Sequence, residues 1–221
     1  MEWPALWLTL RLAGITAMLL LLLGTPIAWW LARTRFRFKS VVETMVALPL
    51  VLPPTVLGFY LLLLLAPDGA IGRLWQYLGG GPLVFSFSGL VIGSLVYSLP
   101  FAVQPLQAAF ATLSHGCMEA AATLRAAPLD RFLSIAAPLA RPGFLTAAVL
   151  GFAHTLGEFG VVLMIGGNIP GRTRVISIAV YDQVETLQYR QAHLLSAAVL
   201  MLSFVLLFAV YTLNRRHRHG A

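Results

Sequence analysis

The sequence predicts an all-α integral membrane protein with about five transmembrane helices, residues 1–221 forming a single transmembrane domain. Three observations carry that prediction. Mean hydropathy is +0.84, and 10% of residues are charged against 59% hydrophobic, where a soluble domain carries about 25% charge. The 221 residues divide into apolar stretches near the roughly 20 residues that one helical crossing needs. The basic residues behind the net charge of +7 gather at the ends of those stretches. There they set topology rather than form a nucleic-acid surface.

The first span is read over residues 3–31. No basic region precedes it, and its apolar run continues through Pro26, Trp29 and Trp30, so it reads as an uncleaved span rather than a secretory leader. Arg11 lies near its outer end, within snorkelling distance of the interface. Arg33, Arg35, Arg37 and Lys39 follow at once and mark a cytoplasmic turn. The second span, 41–66, is interrupted by Pro49, Pro53 and Pro54. Proline frees backbone carbonyls, which lipid tolerates only against protein or a water-lined path. The run Leu48 to Thr55 is therefore expected to face the interior of an assembly. Pro67 to Ser88 reads as a loop of turns around Gly79-Gly80-Gly81-Pro82. It lacks the Lys-Ser/Thr of a phosphate-binding loop. The third span covers 89–110, the fourth 142–165 and the fifth 190–213. Gly166 to Tyr189 forms a second outer loop, and a basic tail follows Asn214.

Charge counting orients the chain. Arg33, Arg35, Arg37, Lys39, Arg125, Arg131, Arg141, Arg215, Arg216 and Arg218 fall on one side; Arg73, Arg172, Arg174 and Arg190 fall on the other. Ten against four predicts an amino terminus outside and a carboxyl terminus in the cytoplasm. No repeat at fixed period is visible, which argues against an inverted-repeat carrier. The single Cys117 excludes an internal disulfide and reads as a packing residue.

Between the third and fourth spans, residues 111–141 include the longest run that cannot cross lipid, Glu119 to Pro138. Glu119 to Ala127 is alanine-rich and helix-forming. Pro128 suits the first turn of a second helix. Phe132, Leu133 and Ile135 give that helix an apolar face, and Pro138 is expected to stop it. The segment reads as two short helices meeting at a bend, a shape suited to docking in a groove of another protein.

No catalytic constellation is present. His115, His154, His193, His217 and His219 form neither HExxH nor a Cys/His ligand spacing, so no metal site is expected, and no G-x-S-x-G elbow occurs. The second informative stretch is His154 to Gly160. An acid within a span is costly and functional by default, and Gly157 and Gly160 permit close helix approach. At about 1.5 Å per residue, Glu158 lies roughly 24 Å from the inner end of its span. An ionised carboxylate repels an anion. Glu158 is therefore expected to hold the path together, with Arg172 and Arg174 as possible partners. Hydroxyls and helix-end amides near Thr55 and Thr155 suit a passing anion better.

These residues carry a resemblance. Glu119-Ala120-Ala121, Ala126, Pro128, Phe132, Ile135 and Pro138-Leu139 resemble the EAA coupling loop of type I ABC-importer permeases. Leu48 to Thr55, Leu156 to Gly160 and Gly167 to Arg174 are similar to the molybdate branch of the oxyanion permeases. Sulfate permeases share the LGEFG-like run and are less similar from Asn168 to Arg174 and into Tyr181-Asp182. The resemblance implies a homodimer in the cytoplasmic (inner) membrane and an extracytoplasmic molybdate-binding protein. It also implies two cytoplasmic ABC ATPase subunits, which hold the ATP and magnesium, with no cofactor in this chain. It assigns ATPase coupling to Glu119, Ala120, Ala121, Arg125, Ala126, Pro128, Arg131, Phe132 and Pro138. It assigns the translocation path or its support to Pro53, Pro54, Thr55, Thr155, Gly157, Glu158 and Gly160. Asn168, Pro170, Gly171, Arg172 and Arg174 would face the binding protein. One departure stands out: Arg125 occupies a position where the family usually has glycine. Tungstate and sulfate or thiosulfate are alternative cargoes. The reading from another class is a proton-coupled carrier or intramembrane enzyme using Glu158 and His154. Such a carrier usually needs several intramembrane ionisable groups, and it would leave the elbow without a role.

Overall fold

The computed structural model describes residues 2–114, 116, 119, 121, 123 and 125–218, and among them every regular element is helical. Ala120 and Cys117 lie outside the described residues. Helix α1 (Trp3–Arg33) opens on a proline in its first turn and buries Ala5, Thr9, Leu12, Ala13, Thr16, Leu20, Gly24, Ala28 and Leu31. That spacing of three and four draws one stripe along the helix. The stripe packs on α5 (Phe87–Ala111), whose amino terminus is capped by Ser86 Oγ accepting from the Gly89 amide at 3.2 Å.

The second span is interrupted, as its prolines predict. It comprises α2 (Lys39–Ala47), a 3₁₀ turn (Leu48–Leu50) and α3 (Pro54–Leu65). Pro54 stands in the first turn of α3, where a missing amide removes nothing. The outer loop that reads as turns contains a further helix, α4 (Ala70–Tyr77). Its glycine signals, Gly69 and Gly79, mark the helix ends rather than an unstructured stretch.

The elbow comprises α6 (Pro128–Arg131), a π-helical turn (Phe132–Ala136) and α7 (Ala137–Leu139). The helix ends at Leu139, one residue after Pro138, close to where the sequence places its stop. The chain then turns by 74° into α8 (Arg141–Leu156).

The fourth span is also interrupted. After α8, Gly157 to Phe159 leave helical geometry, and α9 (Gly160–Gly166) resumes. Residues 166–189, expected from the charge count to form the second outer loop, hold α10 (Ile176–Glu185), which buries Ile176, Ile178, Ala179 and Gln183. Helix α11 (Tyr189–Arg218) is the last element among the described residues.

Helices α1, α5 and α8 form the centre. Leu20, Ala28, Leu31, Ala102, Val103, Leu106, Phe110 and Ala147 are their shared core. Beside them, α9 lies on α3 and α5, with Leu61, Leu65, Val161 and Ile165 buried between. Glycines set how close these helices come. A Cβ on Gly58 would lie 2.9 Å from Met164 Cβ, and one on Gly160 would lie 2.7 Å from Pro54 Cβ. Among the described residues, three helical stretches are long and apolar enough to cross a membrane: Trp3–Arg33, Pro54–Tyr77 and Phe87–Ala111; the second joins α3 to α4 and so runs past residue 66, where the sequence places its end. The bent pair Pro128–Leu139 and Arg141–Leu156 makes a fourth if counted as one span.

The two ends of the bundle differ in kind. Trp29, Phe110, Phe132 and Phe144 meet at one end, which joins the basic turn after α1 to the elbow. At the other end the Ile176 amide donates to Thr9 Oγ1 at 2.8 Å, and the Arg11 guanidinium lies 4.8 Å above the Phe87 ring.

Gly58→Val is expected to destabilise the protein by about 1–3 kcal/mol, the range for overpacking. Gly14→Ala, where an added Cβ has nothing within 4 Å, should be neutral. Thermal denaturation of the two detergent-solubilised variants compares them directly.

Candidate functional site

The two helix breaks face each other. Between them lies a cavity of about 550 Å³, lined by Pro54 and Thr55 from the first break and by Gly157, Glu158, Phe159 and Gly160 from the second. Tyr97 of α5 and His154 of α8 complete its polar lining. Five residues assigned to the path, Pro54, Thr55, Gly157, Glu158 and Gly160, therefore converge from positions a hundred residues apart. Pro53 supplies the extended residue before α3, and its carbonyl accepts the Val56 and Leu57 amides.

Thr155 has a supporting place instead. It is buried, and its hydroxyl donates to the Gly151 carbonyl at 2.9 Å and lies 3.2 Å from Ser98 Oγ. Ser98 Oγ also lies 2.9 Å from His154 Nδ1. The His154 ring is sandwiched further, 4.0 Å from Phe101 and 4.7 Å from Tyr97 between centroids. Ser94, Tyr97 and Ser98 were missed in the sequence reading. Their signal is a row of small or polar residues at spacings of three and four within an apolar helix.

Glu158 is 3% exposed. Its carboxyl faces the Ser94 hydroxyl, and no described residue makes a hydrogen bond of ordinary geometry to either group. The expected pairing with Arg172 or Arg174 is not formed. Arg174 Nε donates to Asn168 Oδ1 at 2.7 Å, and its guanidinium pairs with Asp182 and, at 3.5 Å, with Glu2. Asn168 Nδ2 closes the ring to Asp182 at 3.1 Å. The carboxylates of α10 and the amino terminus are nearer to Arg174 and exposed enough to remain hydrated, so they win the arginine. Glu158 is joined to the outer loop by its backbone: Ser177 Oγ donates to the Glu158 carbonyl at 2.6 Å. That bond satisfies a carbonyl which the helix break has freed. Pro170, Gly171 and Arg172 stand exposed beside the Arg174 network.

In the elbow, Arg125 has φ of +61°, and the Ala126 amide donates to the Ala121 carbonyl at 3.2 Å. A left-handed residue followed by a six-to-one hydrogen bond is the Schellman ending of a helix. It explains why glycine suits the position and why an arginine there is strained. Ala121 is buried, Glu119 is exposed, and Ala126 is half-buried. Phe132 packs edge-on to Trp29, 5.0 Å between centroids, and Trp29 in turn to Phe110 at 5.1 Å. Pro128 opens α6 and Asp130 accepts from Ser134 Oγ at 2.8 Å. No group of three or more His, Cys, Asp or Glu side chains able to hold a metal occurs among the described residues.

The model of the "Binding-protein-dependent transport system inner membrane component" family matches residues 24–219. The chain belongs to this family. Its members are multi-pass inner-membrane components of transport systems. The chain is 59% identical over 216 residues, 98% of its length and 95% of the relative's, to the "Molybdenum transport system permease protein ModB" of Azotobacter vinelandii. It is 37% identical to the protein of that name from Escherichia coli K12, over 84% of this chain and 81% of the relative. A sulfate transport system permease of Synechocystis is 34% identical over 90% of this chain and 69% of that relative. Among solved structures, a bacterial alginate ABC importer superposes with a TM-score of 0.73 at 18% identity, covering 98% of this chain and 78% of that one. The MetNI methionine transporter in an inward-facing form gives 0.72 at 17%, covering 97% and 95%. The architecture is that of the type I ABC importer permeases.

Arg125→Gly is expected to stabilise the elbow by about 1 kcal/mol, the left-handed penalty it removes. Slower amide exchange at Ala126 in the variant is the measurement. Glu158→Gln should leave thermal stability near that of the parent, whereas Glu158→Ala should lower it by opening space beside the break. If both variants stay stable and both lose transport, the carboxyl acts in the transport cycle instead.

Proposed function

We propose that this chain is the permease subunit of an ATP-driven importer of molybdate. The observation that carries the cargo is the 59% identity over 98% of the chain to a molybdenum permease. The sulfate permeases match at only 31–34%. In this reading the chain crosses the cytoplasmic membrane five times, amino terminus outside and carboxyl terminus inside. The charge count supports that orientation. So does the separation of the two ends, with the basic turn and elbow at one and the glycine-bearing outer loops at the other.

Two copies would pair with the cavity beside Pro54, Thr55 and Glu158 on the shared path. Met45, Val51, Val56, Phe59 and Tyr60 are exposed and apolar, and lipid or the second copy would cover them. An extracytoplasmic molybdate-binding protein would meet Pro170, Gly171 and Arg172, held in place by the Arg174 ring with Asn168. Two ABC ATPases, holding ATP and magnesium, would receive the elbow at Glu119, Ala120, Ala121, Arg125, Ala126, Pro128, Arg131, Phe132 and Pro138. The chain itself would perform no catalysis and hold no cofactor. Its part is to convert nucleotide-driven movement of the elbow into opening of the path.

The path chemistry follows from the cavity. A tetrahedral dianion is served by hydroxyl donors such as Thr55 and Tyr97, which impose no charge repulsion. Glu158 stands 3% exposed at the wall and shapes the break rather than meeting the solute.

Reconstituted with its ATPase and binding protein, the permease is expected to take up radiolabelled molybdate in preference to sulfate by tenfold or more, a difference of about 1.4 kcal/mol. Equal uptake of the two would refute the cargo assignment. Glu119→Lys should leave ATP hydrolysis while reducing uptake at least about tenfold, through lost docking of the elbow. Wild-type uptake in that variant would remove the coupling role.

A further inference from the structure

The elbow end of the bundle holds two cations that form no ion pair among the described residues. Arg33, the last residue of α1, lies over the Trp29 ring, its guanidinium carbon 4.0 Å from the centroid. Trp29 packs on Phe132, and the residue before Phe132 is Arg131. Trp29 thus links the ring under Arg33 to the residue that follows Arg131. The Nε of each is buried and donates to nothing among the described residues.

The nearby acids are already engaged. Glu43 accepts from Gln107 Nε2 at 2.7 Å and pairs with Lys39 at 3.7 Å. Asp130 accepts from Ser134. Two guanidiniums at one end of the bundle, paired with no carboxylate among the described residues, supply charge and planar donors suited to a phosphate group.

The surroundings indicate which phosphate. Trp30, Phe36 and Phe38 are exposed and run in sequence from the end of α1, with Trp30 6.3 Å from Phe36 and Phe36 5.5 Å from Phe38. Exposed aromatic rings beside clustered Arg and Lys mark the level of lipid headgroups. A free anion would need no such belt. Arg131 belongs to the stretch proposed to meet the ATPase, and the next residue, Phe132, packs on Trp29 of α1, which sets this part of the elbow against the end of the bundle.

We propose that Arg33 and Arg131 together bind the headgroup phosphate of an anionic phospholipid and so fasten the elbow to the membrane surface. The proposal rests on the orientation given above and not on the identity of the cargo.

The test uses the full-length permease in nanodiscs of phosphatidylcholine containing a minor fraction of phosphatidylglycerol. After extraction, lipid retained per protein is counted by native mass spectrometry. The Arg33→Gln/Arg131→Gln double variant is expected to retain about tenfold less phosphatidylglycerol. Arg73→Gln, at the opposite end, should match the parent. Arg33→Lys/Arg131→Lys keeps charge without the planar fork, so an intermediate value supports the site and guards against a misfolded glutamine variant. Equal retention in parent and double glutamine variant overturns the proposal. So does displacement of the lipid by millimolar inorganic phosphate, which would make a free anion the occupant. A double variant that keeps its lipid but loses the ATPase would assign the pair to a carboxylate of that subunit, and equally overturns it.

Discussion

Interrupted helices are the constraint on which this structure depends. Inside a bilayer a free backbone carbonyl or amide has no water to turn to. Yet the chain interrupts two of the helices expected to cross it, at Leu48 to Pro53 and at Gly157 to Phe159. It tolerates both because the breaks are set against each other and against α5. Gly58 and Gly160 bring α3 and α9 to contact distance. The Ser177 hydroxyl reaches in from the outer loop to satisfy the Glu158 carbonyl. The cavity between the breaks results from this arrangement, and the polar groups of α5 and α8 are gathered around it.

Much of this was legible in the residues. The fold class follows from hydropathy and the basic clusters, and the family from the elbow and LGEFG motifs. Pro49, Pro53 and Pro54 announce the first break. The second break has no proline; Gly157 and Gly160 alone do not distinguish an interruption from close helix packing, so the fourth span reads as continuous. Helices α4 and α10 were hidden for a related reason. Glycines bounding a short helix look the same in sequence as glycines within a loop. At the elbow, the family pattern raised the question of Arg125, and only backbone geometry answered it.

The partners of Arg174 show a different limit. Charge and proximity in sequence point towards Glu158, sixteen residues away. Folding instead offers Asp182, one helix on, and Glu2 from the far end of the chain. Long-range pairings of this sort depend on which elements share an end of the bundle. Here α1 and α10 share it, fixed by the bond from the Ile176 amide to Thr9.

The aromatic cluster of Trp29, Phe110, Phe132 and Phe144 has a mechanical consequence. Its rings come from α1, α5, the elbow and α8, and they meet edge to face with little free space. An elbow held in this way has no independent swivel. A displacement imposed on it from below passes as a rigid tilt into the first and third spans. Compliance must then reside where the backbone is already discontinuous, at the 74° bend before α8 and at Gly157 to Phe159. Force enters through a stiff joint and is released at a soft one, and the soft joint borders the cavity.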